Sequence, residues 1–390
     1  MKSPPTVAPS QRTAVIDLLR GVVMVLMVLD HARDFFFSSR FDPTDLKATT
    51  PLLFFTRWVT HFCAPVFVLL AGTAAFLYGA RRTPAELTRF LLTRGLWLIF
   101  LELLVVHFGW FPDPAFRVTL LQVMWALGWS MMILAALVRL PLWGCVGFGA
   151  LLIAGHNLLD SVHSGQLGGW KTLWKVLHES GVYRINPQHL VIIGYPLIPW
   201  CGVMAVGYGL GAMIHRAPQR WARQAVLLGA MATALFVILR LVNGYGEPRP
   251  WSGQRDALYT LLSFLNCTKY PPSLMYLLMT LGPALLFLGG MQRAASSALA
   301  GPLVTLGRAP LLYYVAHLFL LRYTSLPIGY AVRGRAALDT SGGNFFLSLD
   351  LPLWTVYASW AVAVLLLYPL CRWFVGVRAR HPDKRWLSYL

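Results

Sequence analysis

Charge is what this 390-residue chain has least of: 12% of its residues are Asp, Glu, Lys or Arg, and only 15 are acidic. Set against 57% hydrophobic residues and a mean hydropathy of +0.59, that scarcity excludes an ordinary soluble domain. It points to a multi-pass protein whose partner is the lipid bilayer. Long polar segments are lacking too. The longest, 159 to 189, 243 to 271 and 323 to 351, are each roughly thirty residues, too short for a separate catalytic domain. Five cysteines form no CxxC pair, and Cys63, Cys145, Cys201 and Cys371 fall inside apolar runs, so neither disulfides nor zinc are expected, and no metal is assigned. Repeats, heptads and low-complexity linkers are also missing. One membrane domain over 1–375, followed by a basic cytoplasmic tail over 376–390, is the simplest organisation.

What the chain does have is apolar runs, near 14 to 36, 54 to 79, 95 to 111, 119 to 138, 141 to 158, 190 to 214, 225 to 242, 272 to 291, 302 to 322 and 352 to 374. They predict an all-α polytopic bundle of about ten transmembrane helices. The formal net charge of +18 would suggest nucleic acid in a soluble domain, but its distribution reads as topology. Lys2 and Arg12 precede the first run, Arg81, Arg82, Arg89 and Arg94 follow the second, Arg216, Arg220 and Arg223 follow the sixth, and Arg378, Arg380, Lys384 and Arg385 close the chain. An even span count puts all four clusters on one side, with both termini cytoplasmic and no nucleic-acid partner. The first run is not read as a cleaved signal peptide, because Asp17 and Arg20 interrupt it. Gly207 and Gly211 make a GxxxG whose expected role is close helix approach.

The first run also carries an ionisable stripe. Asp17, Arg20, Met24, Met27, His31 and Asp34 recur at steps of three and four, one flank of a helix. Arg20 and His31 are eleven apart, about 20° out of register and separated by roughly 16 Å of rise. Such groups are costly in lipid, so they belong on an interior or wet surface and are functional candidates by default. A neutral imidazole takes a proton from a hydroxyl or amine attacking a carbonyl, and a carboxylate on its other nitrogen strengthens it. His31 is therefore the candidate base and Asp34, one turn on, its candidate partner. Alternating topology places His61, His107 and His317 at the same depth as His31. Arg20 and Arg308 sit near the opposite end, where forked guanidinium groups suit phosphate. Glu102 is charged and deep within the third run, and needs an interior partner.

Arg20 and His31 also match an Arg-x10-His spacing that resembles the first helix of acyltransferase-3-type membrane enzymes. The stretch 16 to 36, THFCAPVFVLLAGT at 60 to 73, FLNCTKYPPSLMYLLMTLG at 264 to 282 and GRAPLLYYVAHLFLL at 307 to 321 resemble bacterial relatives of heparan-α-glucosaminide N-acetyltransferase. The resemblance implies transfer of an acyl group, most simply acetyl, from cytoplasmic acyl-CoA to a carbohydrate on the far side of the membrane. It also implies His31 as the catalytic base and Arg20 as a contact for the CoA donor. From its own position His61 joins the catalytic candidates, and Arg308 is a second candidate for the donor phosphates, with a snorkelling arginine as the alternative. The same blocks draw attention to Lys269 and Tyr270, which with His317 are candidates for the acceptor pocket, a rigid turn leading into the eighth span being the equal alternative for the first two. The animal branch has asparagine at the position matching His31 and a histidine in the following loop, whereas residues 32 to 60 here contain none.

The resulting expectation is a transmembrane O- or N-acyltransferase of the cytoplasmic membrane, with the oligomeric state open and a homo-oligomer among the alternatives. The rival is a transporter of a small solute or lipid that uses the same His, Asp and Arg groups as a proton relay or anion site. Paired repeats with broken helices would favour it, and the sequence shows none.

Overall fold

The computed structural model describes residues 9–37, 41–334, 349 and 351–388. Lys2 and the stretch 335–348, within the third polar segment, lie outside the described residues. Each apolar run contains helix, although those beginning at 119 and 190 open in β-strand before their helices start at Val123 and Leu197. In chain order these are α1 (Pro9–Phe36), α2 (Pro51–Gly79), α3 (Pro84–Trp110), α4 (Val123–Leu137), α5 (Leu142–Leu159), α6 (Lys171–Leu177) and α7 (Leu197–Arg216). They are followed by α8 (Trp221–Val242), α9 (Ala257–Leu265), α10 (Leu274–Gly290), α11 (Gly301–Gly307), α12 (Pro310–Arg333) and α13 (Leu353–Arg380). By length and apolar composition α2, α3, α5, α7, α8 and α13 are six candidate membrane spans, and the bent pair α11 with α12 makes a seventh. The helices α4 and α10 are apolar but shorter, and α1 is long but carries the ionisable stripe. Helix α13 runs past 375 to Arg380, into the stretch expected as tail.

The chain forms two compact units, each assembled from separated stretches of sequence. The first comprises Met1–Ile16, Ala64–Leu103 and Thr119–Ser296. Within it α3 packs on α4, α5 on α7 and α8 on α10. The expected GxxxG contact is present: a Cβ on Gly207 would meet the Leu69 carbonyl oxygen at 2.2 Å, and one on Gly211 would meet that of Thr73 at 2.6 Å. The Thr73 hydroxyl donates to the Gly207 carbonyl at 3.0 Å, so α2 and α7 touch backbone to backbone. A three-stranded sheet in the order β1-β3-β2 joins Val118–Leu121 (β1), Gly181–Asn186 (β2) and His189–Ile193 (β3), with β2 and β3 antiparallel. Glu102 finds its partner here. Buried at 2% exposure, it lies in a stretch of π-helix at Leu101–Val106 and accepts from the backbone amides of Met124 at 2.9 Å and Trp125 at 3.3 Å. It thus caps the start of α4, where a carboxylate meets otherwise orphaned N–H groups and the positive end of the helix dipole.

The second unit comprises Asp17–Cys63, Leu104–Val118 and Ser297–Leu390. Its α1 is held by α13 through a Trp360 Nε1 hydrogen bond to the Val25 carbonyl at 2.8 Å. Helix α11 ends at Gly307, and α12 leaves at 81° to it with Pro310 in its first turn. Proline lacks the N–H that a helix start leaves unbonded anyway, so its position fits a fresh helix beginning there. Gly307 lets α11 close on α1, because a Cβ there would lie 1.9 Å from the Asp17 carbonyl oxygen. Gly307→Ala is expected to force backbone apart, costing about 1–3 kcal/mol. A lowered thermal unfolding midpoint of the purified protein checks this, and an unchanged midpoint would contradict the close approach.

Candidate active site

The site is built within the second unit on α1, the end of α3, and α12. His31 sits late in α1 and His317 in the second turn of α12, and their rings stack with centroids 4.9 Å apart and planes 10° from parallel. His31 Nδ1 lies 2.6 Å from His317 Nε2. His317 is fully buried, and its Nδ1 is 2.9 Å from the Tyr313 carbonyl oxygen, one turn back on the same helix. A carbonyl only accepts, so His317 Nδ1 carries the proton and its Nε2 is the acceptor in the neutral ring. His31 Nδ1 must then donate, which leaves the lone pair of the neutral His31 ring on Nε2. Trp110, at the end of α3, meets the His31 ring edge-on at 5.0 Å and further limits its rotation. Two side chains 286 residues apart therefore fix the tautomer of one imidazole.

The carboxylates of the stripe are differently engaged. Asp34 accepts from Arg33 Nη2 at 2.7 Å, and the group against His31 Nδ1 is His317. Arg33 also donates to buried Asp30 at 2.9 Å, and Arg57 of α2 donates to the same Asp30 at 2.6 Å. These charges form a bonded chain, and pairing of this kind is what lets ionisable groups remain in a membrane interior. His61 is buried in the 3-10 turn Val59–Phe62 that interrupts α2. His107 has a structural place: its Nε2 lies 2.9 Å from the Asp113 carbonyl, and its ring stacks on Phe116 at 4.2 Å. Desolvation would raise the Asp113 carboxyl, but hydrogen bonds from Arg117 and Ala115 outweigh it and hold that group below its ordinary range.

At the other end of the stripe, Asp17 stands between two guanidinium groups. Arg20 donates to it at 3.0 Å and Arg308 at 3.3 Å. Arg20 also donates to the Gly307 carbonyl at 3.0 Å, so it caps the C-terminus of α11 as well as carrying charge. Its side chain is 17% exposed against 45% for Arg308, which makes Arg308 the more accessible cation of the pair. Met24 and Met27, between the two ends of the stripe, are buried. Arg322, five residues beyond His317 on α12, is 1% exposed with its guanidinium 5.5 Å above the Phe35 ring, and none of its nitrogens has a hydrogen-bond partner among the described residues. Phe35 in turn lies 5.2 Å from Trp110. The sequence singled out neither Arg322 nor Trp110, although an arginine inside an apolar run is itself a signal.

Lys269 and Tyr270 belong to the first unit. Lys269 is buried with its ammonium 5.2 Å over the Tyr270 ring, while Tyr270 is half-exposed and packs edge-on against Tyr195 at 5.6 Å. Lys269 pairs with Pro272 across a tight turn, and Glu247 accepts from the hydroxyls of Thr268 and Ser273 on either side. These residues form a braced turn into α10 that carries one aromatic face outward.

The family model of the heparan-α-glucosaminide N-acetyltransferase catalytic region matches residues 12–240. No curated protein matches the chain. The matched stretch includes Arg20, His31 and His61 and covers more than half of the 390 residues. The chain therefore belongs to the heparan-α-glucosaminide N-acetyltransferase catalytic family and is a multi-pass membrane protein of acetyltransferase type.

Proposed function

We propose that the protein moves an acetyl group from cytoplasmic acetyl-CoA to a carbohydrate amine or hydroxyl on the far side of the cytoplasmic membrane, with both termini on the donor side. The observation that carries this reading is the His31–His317 pair, in which His317 holds His31 with its lone pair on Nε2. In the reaction His31 Nε2 takes the proton from the acceptor as its nitrogen or oxygen attacks the thioester carbonyl. The new C–N or C–O bond forms, the C–S bond breaks, and the proton passes to the departing thiolate of CoA. His317 polarises His31 and stabilises the imidazolium through the Nδ1 contact, an orienting role of the kind that makes a base effective. Asp34 is held by Arg33, and His61 belongs to the same unit as the pair.

The Asp17 cluster supplies the donor end. Two guanidinium groups share one carboxylate, leaving an excess of positive charge roughly 16 Å of helix rise from His31. Phosphates of the CoA moiety bind there, with Arg308 free to swing toward them and the acyl arm running along Met24 and Met27. Arg308→Ala is expected to raise the KM for acetyl-CoA about tenfold with kcat little changed, the mark of binding lost equally in ground and transition states. Arg20→Ala should also lower thermal stability, because it uncaps α11. Steady-state kinetics at varied donor concentration separate the two, and an unchanged donor KM in folded Arg308→Ala would remove that residue from the donor site.

The exposed aromatic face of Tyr270, braced by the buried Lys269, fits stacking on a sugar ring and is the proposed acceptor-binding surface of the first unit. Mass spectrometry of surface glycans from cells with and without the protein tests the whole reading. Loss of an acetyl mass from a defined glycan on deletion is the expected result, and an unaltered glycan profile with altered solute or lipid uptake would favour the transporter instead.

A further inference from the structure

Outside this site, the first unit brings together three residues that the acetyltransferase reading does not use. His156 and Asp160 lie one turn apart at the end of α5, and His178 follows α6. One ligand atom from each can be chosen so that all three lie within 4.8 Å of one another. His156 and His178 are each 2% exposed. Among the described residues neither nitrogen of His156 has a hydrogen-bond partner of good geometry and Nδ1 of His178 has none, although the backbone of Pro272 lies toward the His156 ring. A buried imidazole without a well-formed hydrogen bond is costly, and a core rarely leaves one so.

The surroundings are arranged as the outer shell of a metal site usually is. His178 Nε2 is 3.2 Å from Asp160 Oδ1, while Asn157 donates to the other carboxylate oxygen, Oδ2, at 2.8 Å. Asn157 is fixed in turn, because its side-chain oxygen accepts from the Leu274 amide at 2.9 Å. Trp174 packs on the His178 ring at 5.1 Å. Ligands about 2.0–2.1 Å from a tetrahedral ion stand roughly 3.3 Å apart. The His178–Asp160 separation already matches, and the widest pair needs to close by no more than about 1.5 Å, which side-chain rotation supplies.

We propose that His156, Asp160 and His178 bind one divalent cation of the zinc class, with a water or a backbone oxygen as the remaining ligand. Two imidazoles and one carboxylate are a borderline donor set that suits Zn(II), Co(II) or Ni(II) better than the hard cations Ca(II) and Mg(II), which prefer all-oxygen sites. The ion would tie the end of α5 to the residue that follows α6, beside the Asn157–Leu274 bond that already joins the end of α5 to α10. Its ligands are two histidines and an aspartate, which is why an inventory of cysteines gives no hint of it.

The test uses the full-length protein purified in detergent without a polyhistidine tag, stripped with chelator and titrated with Co(II). The expected result is saturable binding of about one ion per chain with the visible absorption of a low-symmetry site. Zn(II) should displace it, and the absorption should vanish in His156→Ala and His178→Ala. Asn157→Ala, which removes only the outer-shell bond to Asp160, should weaken binding about 10- to 100-fold. Elution as a single folded species is the control for each variant. Should a histidine variant not fold, X-ray absorption of the Zn(II)-loaded wild-type protein decides, with two imidazole ligands expected. Absence of stoichiometric binding by the wild-type chain, undiminished binding in the folded variants, or a zinc shell without imidazole would overturn the site.

Discussion

His31→Ala is expected to lower acetyl transfer by about a hundredfold to ten-thousandfold while the protein stays folded and still binds acetyl-CoA. The magnitude is that of removing a positioned base, and the selectivity follows from geometry. His31 is not a fully buried packing residue, whereas the cationic cluster that would hold the donor lies at the other end of α1. Donor titration and single-turnover transfer on the same preparation separate binding from chemistry. A folded His31→Ala protein with wild-type turnover would show that the pair is a structural clasp between α1 and α12.

His317→Leu is expected to cost roughly a hundredfold, because it removes the acceptor that selects the His31 tautomer, and loss of a tautomer-setting partner is known to be expensive in other imidazole bases. Leucine also leaves His31 Nδ1–H facing an apolar side chain, an unsatisfied donor in a half-buried place. The companion variant His317→Gln tells orientation from packing. Its amide oxygen is able to accept from His31 Nδ1, so part of the lost rate should return, with the KM for both substrates close to that of wild type. Equal loss in the Leu and Gln variants, accompanied by equal loss of thermal stability, would assign His317 to packing alone.

The sequence made His31 legible because charge and imidazole on an apolar helix stand out, and because periodicity tells which residues share a face. It could not show His317 as the partner, since a helical period reports the flank of one helix and says nothing about which other helix meets it. Asp34 looked like the orienting group because it is one turn away, yet the contact on Nδ1 comes from 286 residues further along. The same limit explains Glu102. Its burial was readable from its place in an apolar run, but its partners are the backbone amides of Met124 and Trp125, and backbone donors leave no mark in a sequence. Arg20 was half legible: the pair with Asp17 is local, whereas the bonds that bring in Gly307 and Arg308 arise from the folding of α11 against α1. The 81° break between α11 and α12 had a signal in Gly307 and Pro310, a helix stop and a helix start, inside what otherwise reads as one apolar span.

The most direct test of the central claim is transfer of labelled acetyl from acetyl-CoA outside sealed proteoliposomes, with the protein inserted termini-outward, to a glucosaminide enclosed within them. The account predicts labelled product inside the vesicles with wild-type protein and a loss of at least about a hundredfold with His31→Ala at equal protein content. Labelled product that forms only when acceptor and donor share a compartment would contradict transfer across the membrane, and product formed equally well by His31→Ala would contradict its chemistry.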